Sequence, residues 1–387
     1  KVNGVTFGRW IRDDDYMGKY NAISFGAKGD GLSDDRLSLQ AAIDYIASIG
    51  GGILVLPREK TFVIDSGLYM RSFVSLNIEG TLQNRQRVVN EDVDQAFRFT
   101  PIFMGNYLPS TYDTTNQKYN ICDSIIGSKI YLKNISDTAL YRKDTMIILR
   151  SMEAWDNGRN SFKPYYQTYA LVDSVVGNIV YCDNDLGVNL EKPALLGRVG
   201  NIKSSATQKV DGFGVPYYGV HHCNIYGSGY IISEGSPMAL MTTAYIVNIE
   251  GLFVRGLEAL SGNMMVKWNV NNMRFRVNKQ LLELSVNTNK SSFTNWVGEF
   301  VDFEYKVNRQ PIIRVGENSY NNLISNLKIV SISGGGDSLS AIAIDDGWDN
   351  TIQGIYLVAD SLTNGVEIRT GRDSAHVYNN VIKDCEF

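Results

Sequence analysis

An apolar strand that follows an asparagine-rich turn recurs through the last third of the sequence, and this repeat limits the possible folds most. Its copies are "NNMRFRV" at 271, "YNNLISNLKIV" at 320, "DNTIQGIYLV" at 349 and "VYNNVIKDCEF" at 378. Asparagine hydrogen-bonds nearby backbone and tolerates left-handed conformations, so it suits a tight turn between stacked coils. The last three copies are spaced by 28 residues, from Asn322 to Asn350, and by 30 residues, from Asn350 to Asn380. With the strands between them, steps of roughly 16 to 31 residues predict a solenoid, and therefore a parallel β-helix.

A second set of short strands lies between these turns. It comprises "MVKWNV" at 265, "LLELSV" at 281, "IIRVGE" at 312, "AIAIDD" at 341 and "VEIRTG" at 366. Side chains alternate between the two faces of a strand. Aligned as one column, the strands predict an inward row of Val266, Leu282, Ile313, Ile342 and Val366, with outward Lys267 and Asn269, Glu283 and Ser285, Arg314 and Gly316, Ala343 and Asp345, and Glu367 and Arg369.

The stretch "YNAISFGAKGDGLSDDRLSLQAAID" at 20–44 combines three glycines and acidic residues with an apolar-periodic run. Its glycines do not follow G-x-G-x-x-G and no G-K-[ST] follows, which argues against a nucleotide site. A metal site at Asp30, Asp34 and Asp35 is one alternative. The other is structural, with Ser33 as the N-cap and both later aspartates in the first helical turn.

The apolar spacing of this stretch predicts a helix over 36–48, which Gly50 to Gly52 end. The buried stripe is predicted to be Leu39, Ala42, Ile43, Ile46 and Ala47. The open end of a β-helix exposes unpaired strand edges, so it needs an amphipathic cover. We therefore interpret the helix as the N-terminal cap of the solenoid.

The stretch "YNAISFGAKGDGLSDDRLSLQAAIDYIASIGGGILVLP" resembles the N-terminal signature of the pectate-lyase-like superfamily of right-handed parallel β-helices. That superfamily includes phage tailspikes and secreted polysaccharide lyases and hydrolases. The preceding "FGRWIRDDD" resembles the segment that leads into this domain in tailspikes and related bacterial surface proteins. The resemblance implies an all-β fold with a capping helix, and it leaves the reaction open.

Four segments are predicted from these patterns: a lead-in at 1–19, the cap and first coils at 20–83, a small β insertion at 84–205, and coils at 206–387. In the insertion, strands are predicted on both sides of the "VVGN" turn. Its aromatic residues are candidates to line a sugar groove, although packing within the insertion is the simpler explanation. These residues are Trp155, Tyr165, Tyr166 and Tyr169.

A charged outward stripe is the predicted functional site. It consists of Glu283, Arg314, Asp345, Glu367 and Arg369, with Asp346 and Arg372 at its edge and Lys267, Trp268 and Trp348 as further substrate-binding candidates. Interleaved arginines can hold acidic sugars bidentately. Further, "SAIAIDDGW" and "NGVEIRTG" resemble strands that carry catalytic acids in β-helix polygalacturonases and tailspikes, although the DD-Cys and Gly-His-Gly motifs of that family are absent.

Three functions remain open from the sequence. Glycoside hydrolysis needs one carboxylic acid and one carboxylate, about 5 Å apart for retention or about 6.5–9.5 Å for inversion, and Asp345, Asp346, Glu367 and Glu283 are the candidates. A lyase needs a cation that neutralises a uronate and a base at its α-carbon, and Lys267, Arg314, Arg369, His221 or His222 would serve. The third function is carbohydrate binding without catalysis.

Composition narrows the partners. The net charge of −4 and the pI of about 5.6 provide no basic field for nucleic acid, and no apolar run is long enough to span a bilayer. The four cysteines lie far apart and are expected to be buried free thiols. The sequence opens without Met or a signal peptide, which suggests a mature form. We expect a polysaccharide substrate, no cofactor (with a calcium ion as the open alternative), a homotrimer, and an extracellular or virion-surface location.

Overall fold

The computed structural model describes residues 18–85, 100–104, 120–154, 165–186, 194–198, 219–233, 239–241, 244–263, 265–285, 288–301, 311–316, 319–331, 340–345, 347–358, 364–368 and 377–387. These form two compact units. The first contains the described residues of 1–105, 220–371 and 376–387, and the second contains those of 106–219.

The helical elements are the 3-10 helices Ala22–Phe25 and Ile135–Leu140 and the helix α1, Arg36–Ser48. The strands are, in chain order, β1 Lys19–Asn21, β2 Asp30–Asp34, β3 Gly52–Leu56, β4 Thr61–Ile64, β5 Leu68–Tyr69, β6 Val74–Ile78, β7 Thr81–Asn84, β8 Ile102–Phe103, β9 Asn120–Ile126, β10 Lys129–Leu132, β11 Met146–Ala154, β12 Tyr165–Val176, β13 Ile179–Cys182, β14 Ala194–Arg198, β15 Val220–Tyr226, β16 Tyr230–Ser233, β17 Ala239–Met241, β18 Ala244–Glu250, β19 Phe253–Asn263, β20 Met265–Asn271, β21 Arg274–Ser285, β22 Ser292–Phe300, β23 Ile313–Val315, β24 Ser319–Tyr320, β25 Leu323–Ser331, β26 Ser340–Ile344, β27 Gly347–Trp348, β28 Thr351–Val358, β29 Asn364–Ile368, β30 Val377–Tyr378 and β31 Val381–Lys383.

The first unit is built from three long ladders of parallel strands and a short fourth one that contains β24, β27 and β30. Ladder A contains β1, β3, β6, β15, β18, β20, the first halves of β22, β25 and β28, and β31. Ladder B contains β2, β4, β7, β16, the first halves of β19 and β21, and the second halves of β22, β25 and β28. Ladder C contains β5, β8, β17, the second halves of β19 and β21, and β23, β26 and β29. Each coil passes through the ladders in turn, so the predicted right-handed parallel β-helix is confirmed.

Helix α1 caps the first coil, as the sequence predicted. It packs against β3, β5 and β6, and its stripe residues Leu39, Ala42, Ile43 and Ile46 have no exposed surface. Burying four apolar side chains this way covers the hydrophobic end of the solenoid.

The acidic stretch before α1 is a folded turn. The predicted N-cap at Ser33 is wrong, and so is the placement of Asp34 and Asp35 in the first helical turn. Ser33 and Asp34 lie in β2, and Asp35 is the residue before the helix, which begins at Arg36. The buried Asp35 carboxylate accepts hydrogen bonds from the backbone N–H groups of Lys28 (2.6 Å) and Gly29 (3.1 Å). The Asp30 carboxylate accepts bonds from Ser33 and Leu32, which lower its pKa to about 2. Both carboxylates therefore stabilise the loop that the glycines begin.

Two columns of left-handed residues mark the turns at both ends of ladder A. The column between ladders A and B contains Gly227, Gly251, Asn272, Asn295, Asn326, Gly354 and Asp384, all at positive φ. The other column lies at the start of ladder A: His222, Ile246 and Lys267 are near the beginning of β15, β18 and β20, and the remaining members shortly precede their strands, namely Gly51, Phe73, Lys290, Asn321, Asp349 and Asn379. The first column uses residue types that tolerate this conformation, whereas much of the second does not.

An asparagine ladder runs inside the second turn column. The Asn350 side-chain amide donates to Asn380 Oδ1 (3.0 Å) and to the Ser319 carbonyl (2.9 Å). The Asn322 amide donates in the same way to Asn350 Oδ1 (3.0 Å). The predicted role of asparagine in the turns is confirmed, because these buried amides satisfy backbone groups that no ladder pairs.

The second unit contains a closed antiparallel barrel of six strands in the order β10, β13, β12, β11, β14, β9. The predicted strands around "VVGN" are confirmed as a hairpin, with Val176 opposite Ile179 and Gly177 at φ 60°. An apolar cluster that includes Leu132, Ile147 and Val180 fills the barrel. Tyr169 is buried, so it does not line a sugar groove.

The cysteines are free in the structure. Three of them, Cys122, Cys182 and Cys223, are buried, but Cys385 is partly exposed, so the expectation of four buried thiols is wrong for one position. Burial raises the pKa of Cys122 and of Cys182 to about 12 in both cases. Among the described residues, no helix has the length and apolar character needed to cross a membrane.

Candidate active site

Ladder C brings four predicted residues into one row. Glu283 of β21, Arg314 of β23, Ala343 of β26 and Glu367 of β29 occupy the same register position on successive coils. The inward neighbours Leu282, Ile313 and Ile342 are fully buried, as strand alternation predicts.

Two positions of ladder C differ from the prediction in their exposure, namely Ala343 of the outward row and Val366 of the inward row. Ala343 has no exposed surface, because its methyl group lies between longer side chains on the neighbouring strands. Val366 pairs with the buried Ile342 but is 39% exposed. Within the described residues β29 pairs with β26 alone, so no strand covers Val366 on its other side.

Arg314 joins two carboxylates on the surface of ladder C. Its Nη1 lies 2.6 Å from Glu283 Oε1 and its Nε lies 2.6 Å from Asp345 Oδ2. The three side chains are only 17–20% exposed. Both carboxylate oxygens contact one planar guanidinium, so these two oxygens lie at most about 7.5 Å apart.

Glu367 is oriented by a hydroxyl group. Ser340 Oγ, which is buried at the start of β26, donates a 2.6 Å hydrogen bond to Glu367 Oε2. Asp345 lies two positions beyond Ala343, the register partner of Glu367. One coil and two strand positions correspond to a Cα separation of about 8 Å.

Lys267 and Trp268 do not belong to this site. Their strand β20 lies in ladder A, where Trp268 pairs with Val247, so the predicted alignment of "MVKWNV" with Glu283 is wrong. Trp268 is 1% exposed and its indole Nε1 donates to the Ala244 carbonyl. Alternation places Trp268 inward when Lys267 points outward, so this tryptophan is a core residue. Lys267 Nζ lies 5.1 Å above the Tyr245 ring.

Trp348 lies at the corner that follows Asp345, inside an aromatic stack. The rings of Tyr320 and Tyr378 cover its two faces, at 4.9 Å with an interplanar angle of 1° and at 5.8 Å with 14°. The two faces of the Trp348 ring are therefore covered, which leaves no face for the predicted stacking on a sugar ring. Partial burial, followed by the nearby Asp349 carboxylate, raises the pKa of Tyr378.

The stack contains two residues that the sequence analysis did not single out. A signal was available, because an aromatic residue precedes each ladder asparagine by two positions: "YNN" at 320, "WDN" at 348 and "YNN" at 378. Ser340 was missed as well, and it carried no such pattern.

The two histidines lie on ladder A. His221 Nδ1 and His222 Nδ1 are 3.0 Å apart, and the Phe73 ring stacks on His222 at 5.4 Å. His222, Ile246 and Lys267 occupy one register column, so the imidazole and the ammonium group are two coils apart. These groups are separate from the ladder C row in the strand order.

Several candidates lie outside the described residues, namely Asp346, Arg369, Arg372 and Trp155, and the side chains of Tyr165 and Tyr166 are not described. Within the described ranges, no group of three or more His, Cys, Asp or Glu side chains is arranged to hold a metal ion. The hydrogen bonds of Asp35 and Asp30 already engage two of the aspartates considered for that role.

Comparison with known proteins finds relatives that match this chain over short or medium-length stretches. AlgE4, a mannuronan C5-epimerase of Azotobacter vinelandii, is 60% identical over 48 residues, which are 12% of this chain and 9% of that protein. Alginate lyase 7 of the same organism is 24% identical over 202 residues, 44% of this chain and 23% of the lyase. Depolymerase 1, capsule KN3-specific, of Klebsiella phage KN3-1 is 47% identical over 47 residues, 12% of this chain and 6% of the depolymerase.

Among solved structures, the tailspike protein of E. coli bacteriophage HK620 in complex with pentasaccharide is similar with a TM-score of 0.40 and 14% identity, over 95% of this chain and 51% of that chain. No protein-family model matches the sequence. This chain therefore spans about half of that tailspike and less of the curated relatives named above.

The parallel ladders and the capping helix over the first coil agree with the fold that the N-terminal stretch implies. The chain folds as a right-handed parallel β-helix, and its N-terminal stretch resembles that of the pectate-lyase-like superfamily.

Proposed function

We propose that the β-helix unit binds an extended extracellular polysaccharide along ladder C and hydrolyses glycosidic bonds within it. The observation that supports this most is the Arg314 bridge between Glu283 and Asp345. Carboxylates that are four-fifths buried on the outer face of a sheet lose much of their hydration. A single guanidinium fixes their positions, and such preorganised groups are what a hydrolytic site requires.

The roles follow from the neighbours of each carboxyl group. Asp345 accepts from Arg314 as an anion, so it is the candidate base or nucleophile. Glu367 lies on the adjacent strand, where the Ser340 hydroxyl orients its Oε2. As the second carboxyl group of the pair it is assigned the role of proton donor, which it fills when protonated. Glu283 holds Arg314 from the other side and is assigned a positioning role. The Cα separation of about 8 Å leaves both retention and inversion open, because the two mechanisms differ in the distance between the carboxyl groups.

The relatives support a carbohydrate substrate. One is named a capsule-specific depolymerase, one an alginate lyase and others mannuronan epimerases, so all act on polysaccharides. Each match covers a small part of the relative, and the activity of this chain therefore stays a proposal. Asp346, Arg369, Arg372 and Trp348 remain candidates for substrate contacts beside the row.

A lyase is the second candidate. The 202-residue similarity to alginate lyase 7 favours it, as does the column that contains His222 and Lys267. In this mechanism Lys267 neutralises the uronate carboxylate and a histidine removes the α-proton. Arg314 is a weaker choice for the uronate, because two carboxylates already engage it.

The test is incubation with a panel of capsular, O-antigen and uronate polysaccharides, with products followed in two ways. Hydrolysis releases reducing ends without absorbance near 235 nm, and elimination produces that absorbance. Reducing ends that disappear in Asp345→Asn but persist in Glu299→Gln, a surface carboxylate of ladder B paired with Arg276, support the proposal. Absorbance at 235 nm that depends on His222 or Lys267 supports the lyase instead, and binding without products indicates an adhesin.

We also propose an extracellular or virion-surface location and a homotrimer, in keeping with the tailspike-like fold. Light scattering tests the assembly. A trimer gives three times the 43.2 kDa of the chain, and a species of 43.2 kDa alone contradicts it.

A further inference from the structure

Ladder B carries an exposed column of aromatic and basic side chains on its outer face. Six successive strands place Tyr230, Phe253, Arg274, Val297, Lys328 and Tyr356 at one register position. All but the partly exposed Phe253 are exposed. The six residues lie on successive coils about 4.8 Å apart, so the column is about 24 Å long. We call it the Tyr230–Tyr356 column.

The two cations of this column lie against aromatic rings rather than carboxylates. The Arg274 guanidinium is 6.0 Å from the centre of the Phe253 ring, and Lys328 Nζ is 5.8 Å from that of Tyr356. Within the described part of the chain neither cation forms an ion pair, and their register neighbours include no acidic residue. The register position continues past Tyr356 to the exposed Glu386, two coils from Lys328. The positive part of the column is therefore confined to Arg274 and Lys328.

Two other cations of the β-helix unit provide a contrast. Arg276, one residue pair away on the same face, is neutralised by Glu299 at 3.5 Å, and Arg314 of ladder C is bridged by two carboxylates. Rings bind the apolar faces of sugars, and cations over those rings bind carboxylate or sulfate groups. A straight row with both features fits a linear anionic glycan.

We propose that the Tyr230–Tyr356 column is a second binding track for an anionic polysaccharide, on a different ladder from the candidate active site. It would hold the polymer while ladder C acts on it. This inference rests on the proposed function for the identity of the ligand, but the column's binding is separable from turnover.

The experiment measures retardation of the full chain in native gels that contain alginate, a linear polyuronate, with dextran as the neutral polymer. Wild type is expected to be retarded by alginate and not by dextran, and salt should weaken the effect because the contacts are exposed. In Arg274→Gln/Lys328→Gln the apparent affinity should fall about tenfold, since each exposed contact contributes less than a factor of ten. Its melting temperature should be unchanged.

The matched control is Arg276→Gln, which removes one exposed cation from the same face outside the column. Its apparent affinity should stay within about twofold of wild type. Equal losses in this control would show that net charge alone governs binding and would overturn the proposal. A double variant that still binds alginate would also overturn the proposal. The same holds if the double variant changes only the oligomeric state in sedimentation, because the face would then be a contact between copies of the chain.

A failure of the proposed function gives a different result. If wild type binds alginate through the column but yields no product from any polysaccharide, the hydrolase assignment fails and the track stands. If Asp345→Asn abolishes turnover while the double variant binds alginate normally, the track fails and the hydrolase assignment stands.

Discussion

Replacement of Arg314 by methionine should destabilise the protein more than a surface ion pair would suggest. The substitution keeps an unbranched, apolar chain but removes the charge that Glu283 and Asp345 share. The two carboxylates then face each other across the gap while four-fifths buried. Breaking a fully buried pair costs about 3–5 kcal/mol and an exposed one at most about 1 kcal/mol, so with one fifth of each side chain exposed we expect about 2–4 kcal/mol.

The assay is differential scanning calorimetry at neutral pH, where Arg314→Met should lower the melting temperature by several degrees. Glu283→Gln and Asp345→Asn each leave one ion pair intact and should cost about 1 kcal/mol or less. The triple variant, with all three side chains neutral, should recover much of the loss because no uncompensated charge remains. The reasoning would be refuted if the Arg314→Met variant were as stable as wild type. It would also be refuted if the triple variant were less stable than the Arg314→Met variant.

Three further predictions concern the rest of the structure. Ile43→Asp places an unpaired charge under the capping helix, at a fully buried position, and should cost at least about 3 kcal/mol; a soluble variant with an unchanged melting temperature would contradict the capping role. Lys290→Asn puts a residue that tolerates left-handed backbone at a φ of 53° and should stabilise by about 0.5–1 kcal/mol, seen as a higher melting temperature, whereas Lys290→Val should do the reverse. The thiols of Cys122 and Cys182, with pKa values raised to about 12, should resist a thiol reagent at pH 8 in the folded state while Cys385 reacts; rapid labelling of all the cysteines would show that the barrel core is open.

The sequence was sufficient to predict the fold because its turns use residues with distinct backbone preferences. Asn272 and Asn326 occupy left-handed positions that few other residue types tolerate. The repeat could therefore be recognised in the amino-acid sequence. The other turn column was not predictable in its early coils. Phe73, Ile246 and Lys267 adopt the same conformation there without any residue preference that would reveal it.

The candidate site was predicted in part. Glu283, Arg314 and Glu367 fell into one row because each strand of ladder C has the same inward apolar phase. The same phase also occurs in ladder A, and alternation alone cannot distinguish one ladder from another. "MVKWNV" was assigned to the wrong ladder for this reason, which made Trp268 look like a groove residue.

The partners in the ion pairs and hydrogen bonds of the site could not be predicted from the sequence, for a different reason. The alignment placed Arg314 near acidic residues, but the choice of Glu283 and Asp345 as its partners depends on rotamers. The hydrogen bond from Ser340 to Glu367 depends on the backbone at the start of β26. Such contacts arise from three-dimensional packing, and a linear pattern does not contain them.

The most direct test of the central claim is the turnover of two isosteric variants on whichever polysaccharide the wild type degrades. Asp345→Asn and Glu367→Gln keep side-chain shape but remove acid–base capacity. Each should lower kcat by at least about 100-fold, with an unchanged melting temperature for Glu367→Gln and near-normal oligosaccharide binding for both. Full activity in both variants would contradict the account and remove ladder C as the catalytic surface.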